Sequence, residues 1–290
     1  MASGTLGPWL PPPVARCRGM TDSDQSHESW EQRVTRMAET TDRWSIRTND
    51  APPIVPDSAL GGDDRPGLNV SGIAWYAIVV AVEHLEFTFS AMRATGTLYP
   101  TAQTTALRTA LLTGSQAVWV LAPTLRAERR AHAMRLQMQD SRAELAMVRG
   151  LSALDATQAA LRAETEANLE QRQEDRKNVA VKLALPSSAV AKLNNTDVIA
   201  EASRFVHPEG DQTLNSGVSL LWRMGSAAAH GQRSYAVTRA SRNERRTDGR
   251  DTIVELRGDL TRDIGPSAAA AVLTVSEAFR LFDLRNSGAR

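Results

Sequence analysis

Arg223, Ser226 and His230 bring a guanidinium, a hydroxyl and an imidazole into one short stretch, Leu220-Leu-Trp-Arg-Met-Gly-Ser-Ala-Ala-Ala-His-Gly231. Seven residues advance a helix by 700°, so Arg223 and His230 fall within about 20° of each other on one face, with Ala227 between them and Ser226 flanking. A cation beside an imidazole suits general acid–base chemistry: the imidazole can move a proton near neutral pH, the guanidinium can meet a developing negative charge, and the hydroxyl can position a substrate. The alanine run leaves room for a ligand or for a neighbouring helix. The same residues also have a structural reading: Gly231 is placed for a left-handed C-terminal cap, and a cationic ring at that helix end is favoured by the macrodipole alone.

A second group of candidates is His84, Glu86 and Arg108, read as polar contacts for a small ligand. His84 shares a face with Ile73, Ala77 and Val80, where a histidine is more often a hydrogen-bonded core residue than a ligand. Arg108 lies off the apolar stripe of its segment and reads as solvated. The five histidines are scattered without metal-ligand spacing, and the single cysteine, Cys17, gives no thiolate site and no disulfide framework. Glycine-rich phosphate loops, the Gly-x-Ser-x-Gly elbow and His-Glu-x-x-His do not occur. No metal and no cofactor is expected.

The elements that must position these groups read as a helical bundle. Ser71 is placed to cap a helix running to about Thr95, apolar nearly all round and so a central helix. Pro100 suits the first turn of the next, which carries Ala106, Ala110, Leu111, Gly114 and Val118 at three-and-four spacing and stops before Pro123. Thr124 to about Arg149 and Ser152 to Lys182, joined at Gly150, read as a hairpin arm whose second half is sparsely apolar, at Leu154, Leu161 and Leu169. Arg135, Arg142 and Arg149 form a heptad row on the arm and read as a solvated face. A helix from about Asn195 to Val206 leads through Pro208-Glu-Gly210 into the segment bearing Arg223 and His230. Tyr235–Ala240 and Thr252–Arg257 alternate with period two around Asp248-Gly249 and predict a β-hairpin. Pro266 opens a last helix. The expected class is mainly α: a bundle over residues 69–290, with an arm over 124–184 and a small C-terminal hairpin.

Residues 1–68 carry eight prolines with acidic and Ser/Thr clusters and read as a disordered or weakly ordered tail, with one short helix at about Glu28 to Trp44. Met20 is an alternative start. With 34 basic and 33 acidic residues, overall charge argues neither for nucleic acid nor for a membrane. Only three of the bases are lysines, which together with abundant alanine suggests codon bias more than phosphate binding. The most apolar run, Gly72 to Val82, is interrupted at Glu83, short of the roughly 20 residues a bilayer requires. A cytoplasmic protein with no membrane partner is expected.

Arg108 through Trp119-Val-Leu-Ala-Pro123 into an arginine-rich helix, then Ser226-x-x-x-His230-Gly231 and a terminal helix, resembles uncharacterised bacterial helical proteins. Their Ser-x-x-x-His-Gly element is in turn similar to the arginine-to-histidine motif of HEPN-type proteins. That resemblance implies a helical bundle, a homodimer with a shared cleft and metal-independent cleavage of RNA, with Arg223 and His230 as the acting pair. The chain departs from the family pattern at Met224, where a polar residue is usual. Two readings from other classes stand beside it. One is a non-catalytic interaction module. The other is a small-ligand binder in a groove between the Ser71 helix and the Arg223 helix.

Overall fold

A computed structural model describes residues 28–207, 212–239, 245–248, 251–254 and 258–288, and these are mainly α-helical. At the centre lie α3 (Val70–Thr95), α4 (Pro100–Leu121) and α10 (Gly265–Asn286), packed on one another. Their facing sides carry most of the core: Ile78, Leu85 and Phe89 from α3, Leu107, Val118 and Trp119 from α4, Val275, Phe279 and Phe282 from α10. The cap of α3 is Asn69, not Ser71. Its Oδ1 accepts from the Gly72 N–H at 2.8 Å, and Ser71 is instead buried and donates to Asp64. At the other end Gly96, at φ 62°, stops the helix in the left-handed conformation.

Much of the segment read as a tail is folded. Helix α1 (Trp30–Thr48) starts in a capping box between Ser29 and Gln32 and buries Val34, Ala38 and Thr41 against α3 and α10. Trp44 joins Trp75, Phe279 and Phe282 in an aromatic cluster, with ring centroids 5.0 to 6.1 Å apart. Beyond α1, Leu60 of α2 (Ala59–Asp63) and Leu68 are fully buried. The prolines do not loosen this stretch. They keep it extended along the end of α10, where Asn286 donates to the Pro53 carbonyl and accepts from the Val55 N–H, both at 3.0 Å. Residues 1–27, including Cys17 and Met20, lie outside the described residues.

Helix α5 (Arg126–Arg149) leaves the bundle and α6 (Ala156–Lys182) returns along it, capped by Asp155 rather than Ser152. Leu145, Val148 and Leu169 form a separate small cluster between them. The arginine row on α5 is not merely solvated. Arg135 and Arg142 donate to the backbone carbonyls of Lys192 and Ala191, tying down the connection after α6, while Arg149 pairs with Glu166 and Glu170. Because α6 buries only Leu169 and Ala180, its amides should exchange hydrogen faster than those of α3, by exchange mass spectrometry on the intact protein. Equal protection in the two helices would mean that α6 is covered in solution.

The C-terminal hairpin expected over Tyr235 to Arg257 is overturned, and mainly α is what stands. The segment assigned to its first strand is helical, α9 (Arg233–Arg239). Tyr235 decides this: it is buried, and its hydroxyl donates to the Pro100 carbonyl at 3.2 Å and lies 3.3 Å from the Thr104 hydroxyl, at the start of α4. Arg239, one turn on, stacks over its ring at 5.0 Å, a helical i,i+4 contact. Six residues alternate too briefly to separate period two from a short helix with a single inward anchor. Within the expected hairpin, the described residues pair only over two four-residue segments, β1 (Arg245–Asp248) and β2 (Asp251–Val254).

By length and composition alone α3 could cross a membrane, with an 18-residue window of mean hydropathy 1.3, although half of that window is buried in the bundle. This corrects the run measured to Glu83, since a window of that length tolerates scattered charges.

Candidate functional site

Helix α8 (Gln212–Ala229) and α7 (Asn195–Val206) pack on each other and on α4. One face of α8, carrying Val218, Trp222, Gly225 and Ala228, is buried. Gly225 allows the approach: a Cβ there would fall 2.6 Å from the Arg108 Cβ. Arg108 itself turns inward, contrary to its reading as solvated. Its guanidinium carbon stands 4.1 Å over the Trp222 ring, its Nε is buried without a hydrogen bond, and burial pulls its pKa below the usual arginine range.

The opposite face of α8 presents Ser216, Ser219 and Arg223 to α7, which contributes Ala200, Ser203 and Arg204. Together with Asn215 these residues line a groove of about 370 Å³. Arg204 and Arg223 are exposed, and neither has a carboxylate or hydrogen-bond partner among the described residues. Asn215 Oδ1 is buried and unpaired. The nearest acid on α7, Glu201, accepts from the Trp119 indole N–H at 2.6 Å. From Gln212 to Asn243 the chain carries four arginines and a histidine and no carboxylate.

His230 closes α8. Gly231, at φ 61°, donates to the Ala228 carbonyl at 3.1 Å and Gln232 to that of Ala227 at 2.9 Å, the pair of bonds that defines a Schellman cap. The imidazole is exposed and follows Arg223 on the same face, but seven residues place it about 10 Å further along the axis. Neither His230 nor Ser226 lines the Arg204/Arg223 groove. The fold therefore brings Arg223 together with Arg204, Ser216 and Ser219, and does not gather Arg223, Ser226 and His230 into one pocket of a single chain. Comparison with protein-family models, with curated proteins and with solved structures finds no match to this chain. What the site does must be argued from its own residues.

The small-ligand trio is dispersed. His84 donates through Nδ1 to the Val80 carbonyl at 2.9 Å and faces Ala102, Thr105 and Thr109 of α4, Glu86 accepts from the Ser45 hydroxyl of α1 at 2.6 Å, and Arg108 faces α8. The groove imagined between the Ser71 helix and the Arg223 helix is occupied by α4, which packs on both. Two features went unread in the sequence. Ser216 lies seven residues before Arg223, so the spacing that linked Arg223 to His230 also reached it. Arg204 belongs to another helix and left no local signal.

His132, counted among the scattered histidines, is firmly held. Its ring stacks on Trp119 at 3.8 Å and 7°, and Nδ1 donates to the Trp119 carbonyl at 2.7 Å. Burial, outweighing that hydrogen bond, lowers its pKa. The folded state thus binds this proton less readily than the unfolded chain, so the contribution of His132 is fully present above the ordinary histidine value of about 6.5 and declines as pH falls below it. Urea midpoints measured across pH 7.5 to 5 should fall on the acid side for the native protein and flatten for His132→Gln; an equal slope in both would assign the acid loss elsewhere.

Proposed function

We propose that the α7–α8 face binds the phosphodiester backbone of RNA. The observation that carries this reading is the pair of exposed guanidinia, Arg204 and Arg223, unpaired among the described residues and flanking a hydroxyl-lined groove whose α8 side belongs to an acid-free stretch. An arginine fork complements phosphate oxygens, serine hydroxyls add neutral donors, and no carboxylate of α8 opposes the approach of an anion. Overall neutrality does not count against it, because affinity for a polyanion follows local charge rather than the sum over the chain.

Cleavage is the stronger form of the same reading. It is favoured by the exposure of His230 on the Arg223 face, where a ring nitrogen can reach a bound strand. The axial separation of about 10 Å means that Arg223 and His230 of one chain would meet different parts of the strand. A composite centre then requires two α8 faces related by a two-fold axis, so that the arginine of one copy lies opposite the histidine of the other. Binding and cleavage separate cleanly by experiment. Titration of fluorescent single-stranded RNA should show saturable, salt-sensitive binding, and incubation without metal should yield products only if the protein is a dimer and only while His230 is intact. Absence of salt-sensitive binding would end the proposal; binding without products would leave the site and remove the nuclease.

A further inference from the structure

A second groove opens on the other side of the bundle, where α5 departs from α3 and α4. It holds about 510 Å³, within the size range of small-molecule sites. Ile73, Ala77 and Val80 of α3, spaced to share one face, and Leu136 of α5 give it an apolar wall, and Tyr76, 71% exposed, stands at the rim. Its lining includes the Asn69 and Gln116 amides, and its buried polar atom without a hydrogen bond is an acceptor. Gln137 Oε1 is buried and receives no hydrogen bond, and one turn along α5 is the Asp140 carboxylate. The Thr113 hydroxyl is already committed to the Thr109 carbonyl at 3.0 Å.

Asp140 has no ion-pair partner within 4 Å among the described residues. Its side chain stands exposed at the rim, where partial loss of water around the carboxylate still pushes its pKa up and Arg176 of α6 pulls the other way. Arg176 is turned toward the backbone, where it approaches the Gln137 carbonyl at 3.4 Å. An apolar trough ending in a carboxylate and an unfilled amide oxygen lacks one complement, a group bearing several N–H donors and a positive charge on a hydrocarbon stem. An ammonium has three such donors and no acceptor.

We infer that the α3–α4–α5 groove is a binding site for a primary alkylammonium ligand, its nitrogen held by Asp140 and Gln137 and its carbon chain lying along Ile73, Ala77, Val80 and Leu136. The Tyr76 ring closes over the stem and faces the cation. Anions are turned away by Asp140, and an alcohol of the same length satisfies only part of the acceptor set.

Calorimetric titration of the full chain with n-pentylammonium, 1-pentanol and pentanoate tests this. Pentylammonium should saturate one site, with the alcohol and the carboxylate each weaker by at least about tenfold. Asp140→Asn keeps the shape of an exposed side chain, and should weaken pentylammonium by about tenfold while leaving pentanol unchanged; Gln137→Leu should weaken both amine and alcohol, with folding checked by circular dichroism. No saturation by the amine, equal binding of pentanoate, or an Asp140→Asn protein that binds the amine as well as the native one would each overturn the inference.

Discussion

Asp63→Asn should destabilise the protein by about 3–5 kcal/mol, read as a lower urea midpoint at constant slope. Asp63 is 0% exposed and Arg129 3%. The carboxylate accepts from Arg129 Nε at 2.6 Å and Nη2 at 3.0 Å and from Arg126 Nε at 3.2 Å. Arg129 Nη1 then donates to the Pro123 and Thr124 carbonyls, and Arg285 to those of Leu121, Ala122 and Pro123, so two guanidinia satisfy the acceptors at the end of α4. Arg130 adds bonds to the Gly62 and Asp63 carbonyls. One carboxylate thus balances an arginine-rich junction between α2, α4, α5 and α10. Asparagine keeps the shape and removes the charge, leaving Arg129 buried without compensation. A typical domain has only about 5–15 kcal/mol in all. Combining Arg129→Met with Asp63→Leu should recover only part of the cost, since the buried pair is replaced by apolar groups but the Pro123 and Thr124 carbonyls lose the donors that Arg129 supplies. A midpoint unchanged by Asp63→Asn would show that solvent reaches the junction.

Arg204→Gln with Arg223→Gln should reduce RNA affinity strongly and, more tellingly, change its salt dependence. Each phosphate contact on a single strand contributes about 0.7 to the slope of log affinity against log salt, so losing two should lower that slope by about 1.4. Both side chains are exposed and unpaired among the described residues, so the melting temperature should not move. Arg172→Gln, which removes an exposed pair with Glu144 on the arm, should alter neither quantity. An unchanged slope in the double variant would place the RNA elsewhere on the surface, whatever the loss of affinity.

The helices were legible because their apolar residues repeat at three and four over many turns, as in α4 and α10, where the bundle imposes no competing demand. The helix read at about Glu28 to Trp44 is α1, but composition misled at residues 49–68. Prolines and acids resemble a disordered tail, yet Asp63 finds its partners 63 and 66 residues further on, and no local pattern encodes a pairing across that distance. Tyr235 misled for a related reason, since its strand-like neighbours say nothing about the start of α4 that receives its hydroxyl. At the candidate site the order was reversed. Helical spacing identified the face of α8 bearing Arg223 and His230, but what lies opposite that face depends on how α7 packs, and the packing supplied Arg204 in place of His230.

The contact between the first described helix and α10 has a consequence for how the chain comes into being. Val55 and Asn286 are hydrogen-bonded across 231 residues, and α1 rests its apolar face on α10 as well as on α3. During synthesis from the N-terminus, Met37, Trp44 and their neighbours emerge long before Phe279 exists to cover them. Contacts of such separation are slow to form because the loop between them must first be closed. Until α10 emerges α1 has only α3 to rest on, and the side of Trp44 that meets Phe279 stays uncovered.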